Sequence, residues 1–389
     1  AAGIDAFITQ KIGWNDTNVF PHRVFWWESP DGSRILSVFP FDYVNDIGQP
    51  FGLVDWLRQF EANTGFRDLI VLFGVGNHGG GPSLEMMRRI DRLATTPIYP
   101  TVEFGTAQAY VNWLRSQDLS KLPVWRDELY LEYHQGTFTT QAAMKKANRE
   151  NEALLTGAEL FSAFAHRLGK PYPADALRQS WETAMFNQFH DILPGSSIRE
   201  VYLDAAASNA KAQELATWER TRSLEYLAGQ VNTSSLPAGQ PVVLFNQLAW
   251  DRTDVAHVPL PAGDTTAVSV FDARGREVPS QIVRNGQLTA EVLFKAEVPS
   301  LGYATYLLRP RRSTLDAQEI GITNTSVENG IFRVDIDPET GWLKSIRDKR
   351  SGREVLTGPG NELQLLEDMP KAWDAWNIGL TGVRFPTRF

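Results

Sequence analysis

Residues 187–197, NQFHDILPGSS, place two side chains that can bind metal or transfer protons next to each other. His190 and Asp191 are adjacent where a Pro-Gly pair ends a helical pattern. Imidazole nitrogen and carboxylate oxygen are ligands that zinc accepts when thiolates are absent. The alternative is a solvated His–Asp pair favoured by the dipole at a helix C-terminus. Spacing alone favours this alternative, because one histidine does not define a metal site.

A second group of candidates lies in DELYLEYHQGTFTT, residues 127–140. Glu128, Glu132 and His134 stand among aromatic residues there, and a carboxyl group in such surroundings tends to have a raised pKa, which suits a general acid. If Glu128 and Glu132 share a strand, its alternation points both carboxyl groups to the same side. The alternative, which the residues alone favour, is the polar face of a strand that leads into the next domain.

The third stretch is the glycine-rich loop FGVGNHGGGPS at 73–83. It matches the glycine pattern of dinucleotide-binding loops, and Glu103 follows at about the distance of a ribose-binding acid. No series of βαβ units follows, so the match is weak. Such a loop also allows close backbone approach to a ligand, here with Asn77 and His78 at its tip. A tight strand-to-helix turn is the remaining alternative.

The first part of the chain must position these groups with alternating strands and helices, an α/β architecture. Apolar runs, helical spacing and turn residues give the following order. We predict a strand at 5–11, a hairpin at 22–41, a helix at 53–63, a buried strand at 68–76, a helix capped by Ser83, a strand at 98–104 and a helix at 106–116.

Periodicity changes after this part. Apolar residues at helical spacing predict three consecutive helices, at 141–168, 175–190 and 198–227, which short connections make an antiparallel bundle. The second helix would carry Trp181, Met185 and Phe189 on its apolar stripe. A linker at 232–241 precedes short β-prone runs typical of an antiparallel sandwich. A polar connector at 310–319 leads to a further β unit.

Composition excludes several classes of partner. The chain has 389 residues and a formal net charge of −8, without a dense basic run, which argues against nucleic-acid and anionic-membrane partners. No apolar run reaches membrane-spanning length. Cysteine is absent, so a cytoplasmic location fits, although secreted proteins can also lack it. The chain begins AAGIDAF, directly on a strand-like segment, and we expect it to be cut from a longer protein.

Five stretches together resemble one family. In chain order they are ITQKIGWNDTNVFPHRVFWWESPDGSRIL, GVGNHGGGPS, DELYLEYHQGTFTTQAAMKKANRENEALL, NQFHDILPGSSI and LFNQLAWDR. They resemble glycoside hydrolase family 38, the retaining α-mannosidases and their bacterial relatives. The resemblance covers nearly the whole chain, and the first, third and fourth stretches are long and specific.

The resemblance implies a multidomain α/β, all-α and all-β architecture with zinc in the catalytic domain. The substrate would be an α-mannoside or a mannose-containing oligosaccharide, and a homo-oligomer is left open. The implied domains are part of an α/β catalytic domain at 1–119, a three-helix bundle with active-site residues at 120–231, a small β-sandwich at 238–312 and the start of a larger β-sandwich at 320–389.

The resemblance also implies roles for individual residues. His190 matches the late zinc ligand of the family, and Asp191 matches the neighbouring acid that contacts the sugar. Glu128 stands where the acid/base carboxyl group is expected. The other implied sugar-binding residues are Tyr133, Asn77 and His78. Many members carry Asp where this chain has Asn77, so that contact is altered.

The chain departs from the family at its beginning. It contains no His-x-Asp pair, and the segment that carries the nucleophilic Asp in relatives is missing. We therefore expect a family member without its first catalytic strands and most of its last β domain, inactive by itself. Two other hypotheses remain open: a non-catalytic carbohydrate-binding or scaffold module, and a nicotinamide-binding protein built on the glycine-rich loop.

Overall fold

The computed structural model describes residues 3–15, 17–44, 50–76, 80–234, 236–260, 268–285, 289–310 and 320–386. The chain divides into two units by its internal contacts. The first contains Ala1–Phe138 together with Lys371–Ile378, and the second contains Thr139–Pro370 together with Gly379–Phe389. The succession of α/β, helical and β regions along the chain confirms the predicted fold class.

The first unit alternates short strands with helices. In chain order it contains β1 (Ala6–Ile8), a 3₁₀ helix (Lys11–Gly13), β2 (Val24–Glu28), β3 (Arg34–Val38), β4 (Tyr43–Val44), α1 (Pro50–Thr64), β5 (Leu72–Phe73), α2 (Leu84–Ala94), α3 (Ala107–Arg115), β6 (Val124–Trp125) and a second 3₁₀ helix (Glu132–Phe138). The main sheet has the order β1-β3-β2-β6, and β4 pairs with β5 in parallel.

The main sheet is covered on both faces, because alternate residues of its strands belong to two apolar clusters. Val24 and Leu36 pack on one face with Phe60 of α1 and Leu114 of α3. Phe25 belongs to the cluster on the other face. The antiparallel pairing of β2 with β3 confirms the predicted hairpin, and its parallel pairing with β6 extends the sheet.

Two strand predictions in this unit need correction. The apolar run at 68–76 forms only the two half-buried residues of β5, and residues 98–104 form no strand. Single-sequence patterns cannot supply the pairing partner that a strand needs. The helix predictions are confirmed, and Ser83 caps α2 by accepting a hydrogen bond from the Met86 amide at 3.2 Å.

The second unit begins with three long helices and continues with strands. The helices are α4 (Ala142–Arg167), α5 (Ala174–Phe186) and α6 (Arg199–Gly229). The strands are β7 (Gln240–Phe245), β8 (Arg252–Pro259), β9 (Val268–Asp272), β10 (Glu277–Val278), β11 (Ser280–Asn285), β12 (Thr289–Val298), β13 (Tyr303–Pro310), β14 (Gly321–Ile322), β15 (Ser326–Glu328), β16 (Phe332–Ile336), β17 (Leu343–Asp348), β18 (Arg353–Glu354), β19 (Leu365–Asp368) and β20 (Leu380–Phe385).

The three helices pack against one another along an apolar seam. Leu154 and Leu155 of α4, Ala184 of α5 and Ala216 of α6 form its central cluster. Alanines on α6 let the helix backbones approach closely, and the leucines fill the remaining space. Among the described residues, no helix is long and apolar enough to cross a bilayer.

The β region contains two antiparallel sheets, ordered β10-β9-β13-β7 and β11-β12-β8, that share one core. Val292, Phe294 and Ala296 alternate along β12 and point into this core, where they meet Tyr306 and Leu308 of β13. The period of two is that of strands with one buried face. A five-stranded sheet, β14-β15-β16-β17-β18, and the pair β19-β20 complete the described chain.

Candidate functional site

The His190–Asp191 pair lies in a turn that follows α5, so the prediction that it ends the helix needs correction. α5 ends at Phe186, and residues 187–195 fold into consecutive hydrogen-bonded turns. The His190 side chain is 79% exposed, and its Nε2 lies 3.4 Å from Asp191 Oδ2. Its ring centroid lies 4.2 Å from that of Phe189. The turn therefore presents the imidazole to solvent and keeps the carboxylate beside it.

Hydrogen bonds from the two serines before α6, and from Tyr202 in its first turn, hold this turn in place. The Asp191 carbonyl accepts from Ser197 Oγ at 2.7 Å and from the Tyr202 hydroxyl at 3.2 Å. The Tyr202 hydroxyl in turn accepts from the Ser197 amide at 2.8 Å, and Ser196 Oγ donates to Asp191 Oδ1 at 2.9 Å. The serines after the Pro-Gly pair thus orient Asp191 through its backbone and its side chain.

Lys145 on α4 fastens the far end of the turn. Its ammonium group donates to the carbonyl oxygens of Thr140 at 2.6 Å, Leu193 at 2.9 Å and Pro194 at 3.2 Å. Burial lowers the pKa of Lys145 below its ordinary value. An ammonium group has three N–H donors, so these carbonyls use its full capacity. Sequence reasoning missed this residue, because a lysine on a long helix usually lies in solvent.

Lys145→Met is expected to lower the free energy of unfolding by roughly 1–3 kcal/mol, because three partly buried carbonyls lose a charged donor. Chemical denaturation followed by far-ultraviolet circular dichroism measures this loss. Lys146→Met is the matched control, since that side chain is 76% exposed and pairs with Glu150 at 3.7 Å. It is expected to change stability by less than about 0.5 kcal/mol. Equal losses in the two variants would contradict the role of Lys145.

A network of buried asparagine side chains adjoins the turn. Asn187 Nδ2 donates to Asn209 Oδ1 at 3.0 Å and to Ser208 Oγ at 3.0 Å, and Asn151 Nδ2 donates to the same Asn209 oxygen at 2.9 Å. The network is not fully paired, because the buried Asn151 Oδ1 has no hydrogen-bond partner among the described residues. The network joins α4 and α6 to the first residue of the turn. The sequence carries one signal for it, which is asparagine at helix positions that otherwise face the core.

The two glutamates of the 127–140 stretch lie in different environments, so the prediction of a shared strand face is wrong. The residues from Glu128 to Leu131 form no strand, and Glu128 is exposed. Glu132 is only 8% exposed. Its carboxylate accepts from the Thr17 amide at 2.7 Å, the Thr17 hydroxyl at 2.7 Å, the Asn18 amide at 3.0 Å and the Asn18 side-chain amide. Glu132 therefore organises a loop.

His134 stands in an aromatic cluster in the first unit. Its ring centroid lies 6.4 Å from that of Trp14 and 6.2 Å from that of Trp376. Burial lowers the pKa of His134 below its ordinary value, and the charge of Lys11 lowers it further. The imidazole is therefore mainly neutral at pH 7. Its buried Nδ1 has no hydrogen-bond partner among the described residues.

Residues 371–378 pack against this aromatic cluster, although they are distant in sequence. The Gly136 amide donates to the Trp376 carbonyl at 2.8 Å. A Cβ at Gly136 would lie 2.9 Å from that carbonyl oxygen, so the approach requires glycine. The Tyr133 ring meets the Trp373 ring edge-on at 5.1 Å. Tyr133 is thus half-buried within an aromatic wall.

The glycine-rich loop folds closely onto its own chain. Gly74 has a φ of +124° and Gly80 a φ of +128°. A Cβ at Gly80 would lie 2.7 Å from the Val75 carbonyl oxygen, so glycine is required there by the packing of the loop itself. Asn77 and His78, the predicted tip of the loop, lie outside the described residues.

The described residues do not by themselves form a zinc site. His190 and Asp191 supply one imidazole and one carboxylate, whereas zinc sites normally use three or four protein ligands. Among the described residues, no group of three or more His, Asp or Glu side chains could hold a metal ion. Glu128 and Tyr133 belong to the first unit and the His–Asp pair to the second.

Three family models match the chain in succession. The model described as the glycosyl hydrolases family 38 N-terminal domain matches residues 1–128. The α-mannosidase middle domain matches residues 132–226, and the family 38 C-terminal domain matches residues 327–388. The chain belongs to glycosyl hydrolase family 38. This result confirms the resemblance that the five sequence stretches indicated.

Curated family members align with almost the whole chain. Alpha-mannosidase 2C1 of Homo sapiens is 35% identical over 400 residues, covering 97% of this chain and 34% of the relative. An α-mannosidase of Saccharomyces cerevisiae is 28% identical, covering 98% of this chain and 32% of the relative. The chain therefore spans about a third of the length of these relatives.

A solved structure shares the fold of this family member. The crystal structure of an α-mannosidase from Enterococcus faecalis superposes with a TM-score of 0.64 at 19% sequence identity. The match covers 90% of this chain and 45% of that one. At this identity the similarity shows the fold alone, and it supports the arrangement of helices and sheets described above.

Proposed function

We propose that the chain takes part in the hydrolysis of α-mannosides, as part of a retaining glycosidase. The observation that carries the proposal is the succession of three family 38 models from residue 1 to residue 388. The relatives that align with 97% and 98% of the chain are named α-mannosidases. The turn with His190 and Asp191 supports the proposal, because hydrogen bonds hold Asp191 in place and the neighbouring imidazole is 79% exposed.

We assign roles within this proposal to the groups that the sequence singled out. Asp191 accepts hydrogen bonds from hydroxyl groups of the terminal sugar, and its orientation by Ser196 supports this role. Glu128 acts as the general acid that protonates the leaving oxygen and then activates water. Its exposed position allows contact with a substrate. Tyr133, Asn77 and His78 complete the proposed sugar-binding residues.

We also propose that zinc is bound jointly by His190 and by ligands from outside residues 1–389. The motive is that His190 presents an exposed imidazole 3.4 Å from a carboxylate, while the sequence contains no His-x-Asp pair that could supply the further ligands. Residues 1–389 expressed alone are then expected to bind zinc far below stoichiometry and not to release mannose. Stoichiometric zinc with turnover in that protein would overturn the proposal of external ligands.

His190→Ala in the natural protein that contains these residues is expected to lower zinc content and turnover of an aryl α-mannoside together. Loss of a supporting partner of a ligand typically costs about 10–100-fold, so loss of the ligand should cost on the order of 100-fold or more. Elemental analysis and release of the aryl group measure the two effects. The assay with and without chelator tests whether activity depends on the metal.

The control for this substitution is His257→Ala. His257 is also an exposed histidine beside a carboxylate, with Nδ1 3.2 Å from Glu291 Oε2, but it lies in the β region. Its replacement is expected to leave zinc content and turnover unchanged. Full zinc occupancy and normal turnover in His190→Ala would show that another residue is the ligand. Binding of mannosides by the natural protein without turnover would favour the carbohydrate-binding alternative.

A further inference from the structure

A groove with a volume of about 700 Å³ runs between α5 and the start of α6. Its size lies within the range of about 300–1,000 Å³ that is usual for small-molecule sites. One wall comes from the last two turns of α5 and the residues after it, and the other from the first turns of α6. The groove lies wholly in the second unit.

The walls of the groove combine aromatic rings with acceptor groups. Phe186 is 72% exposed and Phe189 is 50% exposed, and both line the groove. Glu182 and Asp204 provide carboxylates on opposite walls, beside the amide side chain of Gln179. Exposed rings suit the C–H faces of a sugar, and carboxylates accept hydrogen bonds from its hydroxyl groups.

The charge of the lining disfavours anionic ligands. As far as the structure describes the groove, no Lys, Arg or His side chain lines it, while two carboxylates do. Phosphates, nucleotides and acidic peptides would meet uncompensated negative charge there. A neutral ligand with many hydroxyl groups avoids this repulsion and uses both the rings and the acceptors.

The groove adjoins the turn that holds His190. Phe189 lines the groove, and its ring centroid lies 4.2 Å from that of His190. Ser197 also lines the groove, and its hydroxyl donates to the Asp191 carbonyl at 2.7 Å. A ligand with one end at His190 and Asp191 can therefore continue into the groove without leaving the surface of α5 and α6.

We propose that this groove binds the sugar residues that follow the terminal mannose of an oligosaccharide substrate. The proposal rests on the proposed function, since it places the terminal residue at the His190–Asp191 turn. The groove then favours oligosaccharides over simple mannosides, with Phe186 packing against a sugar face and Asp204 accepting from its hydroxyl groups. The ligand class is a neutral α-linked mannose oligosaccharide.

The test is a titration of residues 1–389 with α-linked mannotriose, followed by calorimetry or by protein NMR. Phe186→Ala and Asp204→Asn are each expected to weaken binding about tenfold or more. Phe164→Ala and Asp175→Asn are matched controls, since Phe164 is exposed on α4 and Asp175 is exposed in the first turn of α5, outside the groove lining. These controls are expected to leave the affinity unchanged.

Measurements of mannotriose binding and of aryl α-mannoside turnover distinguish the groove proposal from the proposed function. Mannotriose binding that all four variants retain overturns the groove proposal, and so does a chain that does not bind mannotriose. A change in self-association of Phe186→Ala without a change in sugar affinity also overturns it, in favour of a contact between copies of the chain. Binding through the groove without aryl α-mannoside hydrolysis by the natural protein overturns the proposed function and leaves the groove as a sugar site.

Discussion

Gly195→Ala is expected to lower the free energy of unfolding of the helical region by roughly 3–5 kcal/mol. Gly195 closes the turn after His190 and Asp191 with a φ of +95°. A Cβ there would lie 2.6 Å from the Thr140 carbonyl oxygen and 2.8 Å from Thr140 Cγ2. The left-handed backbone alone costs an alanine about 1–2 kcal/mol. The clash adds to this, because backbone atoms cannot rotate away.

Gly275→Ala separates the cost of left-handed backbone strain from the cost of the clash with Thr140. Gly275 has a φ of +78°, and a Cβ at that position would meet nothing within 4 Å. Its replacement is expected to cost about 1–2 kcal/mol, the contribution of backbone strain alone. Denaturation followed by circular dichroism measures both variants, and the imidazole resonances of His190 report on the turn. A loss of only about 1–2 kcal/mol in Gly195→Ala, which is backbone strain alone, would mean that Thr140 moves aside, and the turn would not be held as described.

Local patterns predict the helices of this protein well. The apolar spacing that marks α4 and α6 is a property of neighbouring residues, and so is the cap that Ser83 provides for α2. The hairpin of β2 and β3 follows from two apolar runs around Pro-Asp-Gly, which is turn chemistry. These elements can be predicted because the residues that determine them lie close together in sequence.

The end of α5 shows where such patterns fail. Met185 and Phe189 continue the four-residue spacing of Leu177 and Trp181, so the sequence predicts one apolar stripe ending near His190. In the structure Met185 and Phe189 are exposed, and the helix ends at Phe186. The spacing is the same for a core stripe and for a row of exposed rings. Only packing against other elements decides between them.

Only part of the candidate site could be predicted from the sequence, because local patterns do not show which distant residues pack against it. The adjacency of His190 and Asp191 is visible in the sequence, whereas Lys145 reaches the turn from about 48 residues away, a separation that no local pattern encodes. The contact of Gly136 with Trp376 spans a still longer separation in sequence. Side chains that position a site are supplied by tertiary structure, and the sequence shows their type but not their partner.

Glu132→Ala is expected to lower the free energy of unfolding of the first unit by roughly 3–4 kcal/mol. The carboxylate accepts from two backbone amides and two side chains of Thr17 and Asn18, and hydrogen bonds to a charged acceptor contribute about 1.5–3 kcal/mol each. The total is less than the sum, because both donor residues are exposed and water replaces part of the loss. Tryptophan fluorescence during denaturation measures it.

Glu132→Gln and Glu128→Gln test which of the two glutamates is the general acid. In Glu132→Gln one amide N–H faces the donors of Thr17 or Asn18, so this variant is expected to lose much of the stability that Glu132→Ala loses. Glu128 is exposed, and Glu128→Gln is expected to change stability by less than about 0.5 kcal/mol.

In the natural protein, Glu128→Gln should slow substrates with poor leaving groups far more than activated aryl mannosides, because only poor leaving groups need protonation. Glu132→Gln should slow both equally, since it displaces a loop. The reverse pattern would make Glu132 the acid.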